Sequence, residues 1–283
     1  MKSKYLIIAL GLIIIITMLV IIFMPVLTAG LTAGLTTGSA SVFSGDFRFI
    51  TMPLLIFLGL FLVCICVFFC LNYRLLSLLE REDWPALAYY LEHKIYVKGR
   101  FYNRYIRILT SSYFVISDYQ SVLKLESKVQ LAKPSLISGN VLIFGTARIF
   151  SGKYAESAAF FKMQFDKCKP KDKQWVRWFY GFSQLLAGNF NMAESEFASL
   201  AVSSSDALIT GLSAYFLCSS LEKKSLNPDK CLHTSDNGRN RVIKSLKTSD
   251  GWMKETQKMG TDIHIAIIKK YLDEAGRWLF SGA

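Results

Sequence analysis

The sequence has few of the residues that usually build catalytic or metal sites. It contains three histidines, which are far apart, and six cysteines without a CxxC pair. No glycine-rich phosphate loop, HExxH motif, nucleophile elbow or kinase signature is present. Cys218, Cys231 and His233 suggest a metal site at first sight, but such a site needs three or four ligands, and a loop fits this stretch better. We predict a protein that is not an enzyme and that uses no metal or cofactor.

Acidic residues are also scarce relative to basic ones. The chain has 21 Asp and Glu against 33 Lys and Arg, and only one acidic and three basic residues precede position 72. The net positive charge therefore belongs almost entirely to residues 72–283. Such a charge favours the anionic cytoplasmic leaflet of a membrane, and acidic proteins or nucleic acid are the competing partners. The scattered cysteines form no disulfide framework, which suits a reducing compartment.

Long apolar stretches, in contrast, are present twice near the N-terminus. Tyr5–Met24 and residues 49–73 contain no charged residue and have no polar face. A helix of about 20 apolar residues crosses the hydrocarbon core of a bilayer. We therefore predict that residues 1–73 form a membrane hairpin of two transmembrane helices, with an external loop at about 25–50.

The charges that flank these stretches predict their orientation. Lys2 and Lys4 precede the first span, and Arg74 and Arg81 follow the second, so both ends face the cytoplasm under the positive-inside rule. A cleaved signal peptide is the alternative for the first span, but its apolar core is longer than the usual 7–15 residues. The predicted location is a bacterial inner membrane, with the rest of the chain in the cytoplasm.

A repeat follows the apolar stretches. "GKYAESAAFF" begins at Gly152, and "GNFNMAESEF" repeats its layout from Gly188. Two earlier aromatic residues extend the series, so that marks separated by 35, 35 and 36 residues stand at Trp84, Tyr119, Tyr154 and Phe190. A fixed period of this length is typical of a solenoid built from helix-turn-helix units.

The recurring residues have specific physical roles in such a unit. A small residue lets two helices cross closely, a glycine ends the first helix in the left-handed conformation, and aromatic residues fill the gaps between helices. The signature positions are Gly145, Gly152, Tyr154, Gly181, Gly188, Phe190, Ala193 and Phe197.

At these positions the chain resembles the tetratricopeptide repeat family. The resemblance gives three units at roughly 103–136, 138–171 and 174–207, within a solenoid that spans 103–224. Several positions depart from the family pattern, namely Thr110 and Glu126 in the first unit, Arg148 in the second and Gln184 in the third. A juxtamembrane helical segment at 74–102, with a half-unit near 82–95, connects the solenoid to the membrane hairpin.

The predictions for the C-terminal part are different. Residues 207–224 look like the first helix of another unit, but no second helix follows at the expected distance. The polar, turn-rich stretch 225–240 predicts a loop. Ile263, Ile267 and Tyr271 have helical spacing, so we predict that 225–283 ends in an amphipathic helix that caps the solenoid. The predicted fold is all-α throughout.

The resemblance also implies a concave groove that is lined by the first helix of each unit. Its candidate partner-binding residues are Arg104, Arg107, Phe114, Leu142, Ile149, Trp175, Trp178, Phe182 and Leu185. One end is basic and the other is aromatic, which suits an acidic amphipathic helix of a protein partner. The alternative is that the chain's own C-terminal helix fills the groove.

Two stretches, 98–107 and 167–180, mix basic and aromatic residues. They are interpreted first as helix entries with solvated lysines, then as a lipid or protein contact, and least of all as a nucleic-acid surface. The sequence as a whole predicts a membrane-anchored adaptor that binds a protein partner at the cytoplasmic face. The alternative is a structural subunit of a larger envelope-associated assembly.

Overall fold

The computed structural model describes residues 43–259 and 263–281. Within these residues every regular element is a helix, and no strand is present, which confirms the all-α prediction. The twelve α-helices are α1 (Phe43–Glu80), α2 (Trp84–Glu92), α3 (Asn103–Val115), α4 (Tyr119–Ala132), α5 (Val141–Phe150), α6 (Tyr154–Gln164), α7 (Lys173–Leu186), α8 (Phe190–Ser203), α9 (Ala207–Phe216), α10 (Pro228–Leu246), α11 (Ser249–Met259) and α12 (Ile263–Phe280).

Helix α1 contains the second of the two predicted spans. Its part from Phe57 to Glu80 is long and apolar enough to cross a membrane, and the described residues contain one such helix. The first predicted span, Tyr5–Met24, lies outside the described residues, as does most of the predicted external loop. The structure therefore supports one candidate span by length and composition, and not the predicted pair.

The chain divides into two compact units between Leu87 and Ala88. In the second unit, each helix from α3 to α10 packs against the next one along the chain. The first helices of successive pairs also touch, because α5 packs on α7 and α7 packs on α9. These contacts build one continuous layered core.

The same turn follows four helices of the chain, namely α1, α3, α5 and α7. After α5, the N–H of Gly152 donates to the carbonyl of Ile149 (3.0 Å), and the N–H of Lys153 donates to that of Arg148 (2.9 Å). This is the Schellman arrangement, which ends a helix on a residue with positive φ. The residues with positive φ in the four turns are Glu82, Ser117, Gly152 and Gly188. Each stands two residues before one of the aromatic marks, so the sequence repeat is also a repeat of backbone geometry.

Close crossing explains the small residues of the second pair. A Cβ atom added to Gly145 would lie 2.1 Å from Cζ of Phe161, which sits directly over the glycine. The hydroxyl of Ser157 donates to the carbonyl of Gly145 (3.0 Å) across the same crossing. Phe161 also stacks on Phe179 of the next pair, with ring centroids 5.8 Å apart. Phe161 thus connects the crossing of α5 and α6 to the next helix pair.

The third pair repeats this arrangement. A Cβ atom on Gly181 would lie 3.2 Å from Cε1 of Phe197, and the facing Ala193 is fully buried. Phe197 stacks on Phe216 of α9 with centroids 5.5 Å apart. The phenylalanine-to-phenylalanine contact therefore recurs from one pair to the next.

Helix α10 occupies the region where the sequence analysis predicts a loop. The side chain of Asn227 accepts a hydrogen bond from the N–H of Lys230 (3.3 Å), and Pro228 follows it in the first turn. The buried face of α10 consists of small or weakly apolar side chains, namely Cys231, Ser235, Gly238 and Val242. A face of this kind gives no hydrophobic periodicity, so the helix was not predicted.

The close fit of α10 explains why that face is small. A Cβ atom on Gly238 would lie 2.9 Å from Cβ of Ala214 in α9. The helix packs on α9 as the second member of a fourth pair. The connection before it contains a π-helical segment (Leu217–Leu221) and a 3-10 helical turn (Glu222–Lys224) in place of the recurring Schellman turn. The second helix of this pair therefore begins later in the sequence than the repeat predicts.

Candidate partner-binding face

The aromatic end of the predicted groove is covered by α12. Trp175 and Phe182 are 4% and 5% exposed, and Trp178 is fully buried. The ring of His264 lies 5.8 Å from that of Trp175, and the ring of Tyr271 lies 5.6 Å from that of Phe182. The prediction that these three aromatic residues form an open partner-binding surface is therefore wrong. The alternative, in which the C-terminal helix fills this end of the groove, is the one observed.

Helix α11 fixes α12 in this position through one tryptophan. The indole N–H of Trp252 donates to the carbonyl of Leu272 (3.1 Å). Its ring lies against Gly211 and Gly276. A Cβ atom added to Gly211 would lie 2.6 Å from the nearest indole atom, and one added to Gly276 would lie 2.8 Å from it. The two C-terminal helices and α9 thus form one packed group, and α12 is part of the core.

The middle of the predicted groove is also largely filled. Leu142 and Ile149 are buried, and Leu185 is half-buried. Helix α5, which carries Leu142 and Ile149, packs against α12. These residues contribute to the core of the array and offer little surface to a partner.

The basic end differs, because Arg104 and Arg107 of α3 remain exposed. Ser111 and Phe114 follow them at helical spacing, so the four residues form one stripe, which we call the α3 face. Phe114 is half-buried and contacts the ring of the exposed Phe150 with centroids 6.2 Å apart. Of the predicted groove, the α3 face is the part that combines cations with accessible apolar surface.

The lysine- and tryptophan-rich stretch at 167–180 divides into two environments. Lys167, Lys169 and Lys171 are exposed around a short 3-10 turn, whereas the tryptophans point into the core. Cations and aromatic rings therefore do not form one surface here. Bases stack on exposed rings, and the two tryptophans of this stretch offer none because both are buried.

Arg148 and Glu126, which both depart from the repeat pattern, form an ion pair. The guanidinium of Arg148 donates to both carboxylate oxygens of Glu126, at 2.6 and 2.9 Å. The same guanidinium lies over the ring of Phe160, 4.2 Å from its centroid. The pair joins α4 to α5 and is mostly buried. Sequence reasoning noted both residues as exceptions but missed the pairing, although opposite charges in adjacent units were a signal for it.

The cysteines and histidines are not assembled for metal chemistry. Among the residues that the structure describes, no three His, Cys, Asp or Glu side chains converge. The thiol of Cys231 is buried and donates to the carbonyl of Leu217 (3.4 Å), and burial raises the pKa of Cys231 to about 11. His233 is exposed, beside Asn237. Cys231 is thus a buried packing residue, and His233 is a surface residue.

Comparison with known proteins places the chain in a family. The family model described as "Uncharacterised Treponema protein" matches residues 121–281, which is more than half of the chain. A protein of Treponema pallidum (strain Nichols), described as "Uncharacterized protein", is 28% identical over 235 residues, covering 80% of this chain and 74% of the relative. No solved structure matches. The matched region runs from α4 through α12 and includes the filled groove. The chain belongs to this Treponema family.

Proposed function

We propose that this protein is a membrane-anchored helical-repeat adaptor that holds a protein partner at the cytoplasmic face of the inner membrane. The observation that carries the proposal is that the array holds an amphipathic helix, α12, against the first helices of its pairs. Binding a helix in a groove is a common mode of peptide recognition. The unit thus has a face of the right shape, and the α3 face extends it with exposed residues.

Membrane anchoring rests on the apolar stretches. Helix α1 supplies one candidate span from Phe57 to Glu80, and Tyr5–Met24 would supply a second. Basic residues precede the first stretch and follow the second, which favours a cytoplasmic location for both ends. The helical unit that begins at Ala88 would then lie beside the cytoplasmic leaflet.

The tetratricopeptide-like interpretation rests on recurring geometry. The Schellman turn recurs with the period of the aromatic marks, and the stacked pairs Phe161–Phe179 and Phe197–Phe216 recur between neighbouring helix pairs. Arrays of this kind have large surfaces and few catalytic groups, which suits a scaffold. The fourth pair and α12 complete the array at its C-terminal end.

The partner would bind at the α3 face, because α12 covers the aromatic end. Arg104 and Arg107 would contact acidic side chains of a bound helix, and Phe114 would contact its apolar side. The α3 face is a single stripe of four residues, so we expect a weak or transient association. Electrostatic attraction would then contribute mainly to the association rate.

Photo-crosslinking in the native membrane tests this proposal. We would place p-benzoylphenylalanine at Ser111 of the full chain, with the same probe at the exposed Met253 of α11 as the control. We expect an adduct of one defined size from Ser111, absent from Met253, that disappears with Arg107→Glu and at high salt. Equal adducts from both positions would contradict the α3 face as the partner site.

The size of the solubilised protein separates the adaptor from the structural subunit. In mild detergent, an adaptor should migrate as a small species that gains mass only when the Ser111 adduct forms. A large complex of fixed composition, unaffected by Arg107→Glu, would favour a structural subunit of an envelope assembly and would contradict the adaptor.

A further inference from the structure

The end of α2 and the segment that joins it to α3 expose aromatic and apolar side chains beside basic ones. Tyr89, Val97 and Tyr102 are 73%, 70% and 56% exposed. Lys98 and Arg100, between them in sequence, are exposed as well. Exposed apolar side chains that are concentrated in one stretch, rather than scattered singly, are typical of an interaction surface.

Lysine–tyrosine contacts connect this segment to α4. Three ammonium groups lie over tyrosine rings, at 5.3, 4.0 and 5.9 Å from the centroids, in the pairs Lys94–Tyr90, Lys128–Tyr96 and Lys133–Tyr102. Lys128 lies on α4 and Lys133 directly follows it, so both parts of the chain contribute to one surface. We call it the tyrosine–lysine surface, and its members are Tyr89, Tyr90, Lys94, Tyr96, Val97, Lys98, Arg100, Tyr102, Lys128 and Lys133.

The acidic residues of the same region are engaged inside the protein. Between residues 88 and 136 there are three carboxylates, and each has an internal contact: Glu92 accepts from the hydroxyl of Tyr113, Asp118 accepts from the N–H of Ser121, and Glu126 pairs with Arg148. Their charge is used within the fold. The surface therefore presents mainly positive charge.

We propose that the tyrosine–lysine surface docks on the headgroups of anionic phospholipids. Lysine and arginine attract an anionic leaflet, while tyrosine, with an apolar ring and a polar hydroxyl, prefers the depth of the headgroups. In sequence the surface begins at Tyr89, on the short helix α2 that follows the apolar α1. The inference rests on the proposed membrane anchoring, to which it adds a specific lipid contact.

The geometry disfavours single-stranded nucleic acid as the occupant. Bases bind such surfaces by stacking on exposed ring faces. Here ammonium groups already lie over one face of Tyr90, Tyr96 and Tyr102. Headgroup phosphates need mainly exposed cations, and Lys98 and Arg100 of this surface are exposed.

Hydrogen exchange of the full chain in nanodiscs tests the docking. We would compare discs of phosphatidylcholine with discs in which about a third of the lipid is phosphatidylglycerol, and follow amides in peptides that cover residues 94–104. Exchange should slow several-fold in the anionic discs, and the difference should vanish at high salt, because the attraction is screened. Each basic residue that is lost should weaken the docking equilibrium about fivefold. Three charge reversals should therefore abolish the slower exchange in anionic discs.

A matched pair of variants makes the test specific. The triple variant Lys94→Glu, Lys98→Glu and Arg100→Glu should exchange alike in both discs. The control Lys230→Glu, Lys244→Glu and Lys254→Glu changes the net charge equally at exposed lysines of α10 and α11 and should keep the lipid dependence. Circular dichroism of both variants checks that the fold is retained.

Each other outcome has a defined meaning. Equal exchange in neutral and anionic discs overturns the docking surface, and so does protection that appears in native membranes but not in protein-free discs, which would identify an acidic protein as the occupant. Release of the full chain by alkaline carbonate would instead contradict membrane anchoring. A carbonate-resistant chain with lipid-independent exchange contradicts only the docking surface.

Discussion

At the scale of single residues, Glu126 and Arg148 show how the repeat accommodates an exception. Position 126 is one period before Phe161 and two before Phe197, both of which fill the space towards the next pair. In the first unit a carboxylate takes this place, and Arg148 of the next pair neutralises it. In the first unit an ion pair therefore takes the place of the phenylalanine contact that connects the later units.

This interpretation predicts an asymmetric response to mutation. Arg148→Gln introduces the residue found at the equivalent position 184 and leaves the Glu126 carboxylate mostly buried without its cation, so unfolding should become easier by about 3 kcal/mol. Adding Glu126→Phe should recover most of that loss, because an aromatic residue fills this place in the other units. The measurement is the midpoint of urea unfolding of the detergent-solubilised full chain.

An exposed ion pair provides the control for this prediction. Lys153 and Glu156 lie 3.4 Å apart with both side chains largely in solvent. Lys153→Gln should change stability by less than about 1 kcal/mol, since surface pairs contribute little. If Arg148→Gln and Lys153→Gln have equal effects, the buried pair does not connect the units as described.

Residue-level predictions from the sequence succeed where glycine is present. Gly152 and Gly188 adopt positive φ, as a helix-ending glycine should. Glu82 and Ser117 adopt the same conformation in equivalent turns, yet nothing in their identity indicates it, because residues with a Cβ enter this region rarely. Only the period of the following aromatic residues points to these turns.

At the scale of elements, the sequence predicts apolar helices better than it predicts α10. The buried face of α10 is made of small residues, and its hydrophobic signal is correspondingly weak. The stripe along α12 did predict an amphipathic helix. It could not predict what that helix covers, because an apolar stripe gives the same signal against a membrane, a partner or the chain's own core. Contact with Trp175 and Phe182 decides this.

The covering of the groove by α12 makes Trp178 a core residue. Its ring contacts Phe182 of its own helix and Phe216 of α9, and no part of it is exposed. Trp178→Ala should therefore destabilise the protein by about 3–5 kcal/mol, which is the usual range for truncating a large buried side chain. Unfolding of the full chain, followed by circular dichroism, measures this loss.

Phe150→Ala is the matched comparison for Trp178→Ala, because it also truncates an aromatic residue on a first helix. Phe150 is 42% exposed, so its truncation should cost clearly less. A Trp178→Ala protein that melts like the parent would show that α12 leaves this end of the groove open in solution. In that case the aromatic end would again be a candidate partner site.

At the scale of the whole molecule, composition and period predict the fold class, and tertiary contacts determine which residues of the predicted groove stay exposed. The all-α architecture and the helix pairs follow from apolar periodicity and from the aromatic marks. The α3 face is exposed because α12 covers other helices of the array. Segments that are far apart in sequence decide this, so a local pattern cannot predict it. Single-sequence reasoning therefore predicted the all-helical class, but it could not predict that α12 covers Trp175, Trp178 and Phe182.

The proposed membrane orientation is the remaining property of the whole molecule, and reporter fusions test it. Basic residues at Lys2, Lys4, Arg74 and Arg81 should keep both flanks in the cytoplasm. A reporter that is active only in the cytoplasm should be active when fused after Ala283 and silent when inserted near Ser41. A reporter that is active only outside the cytoplasm should give the opposite pattern at the same two sites. If instead the Ala283 fusion is active only outside, the tyrosine–lysine surface would face the outer leaflet, and its cations would no longer be explained by an anionic cytoplasmic leaflet.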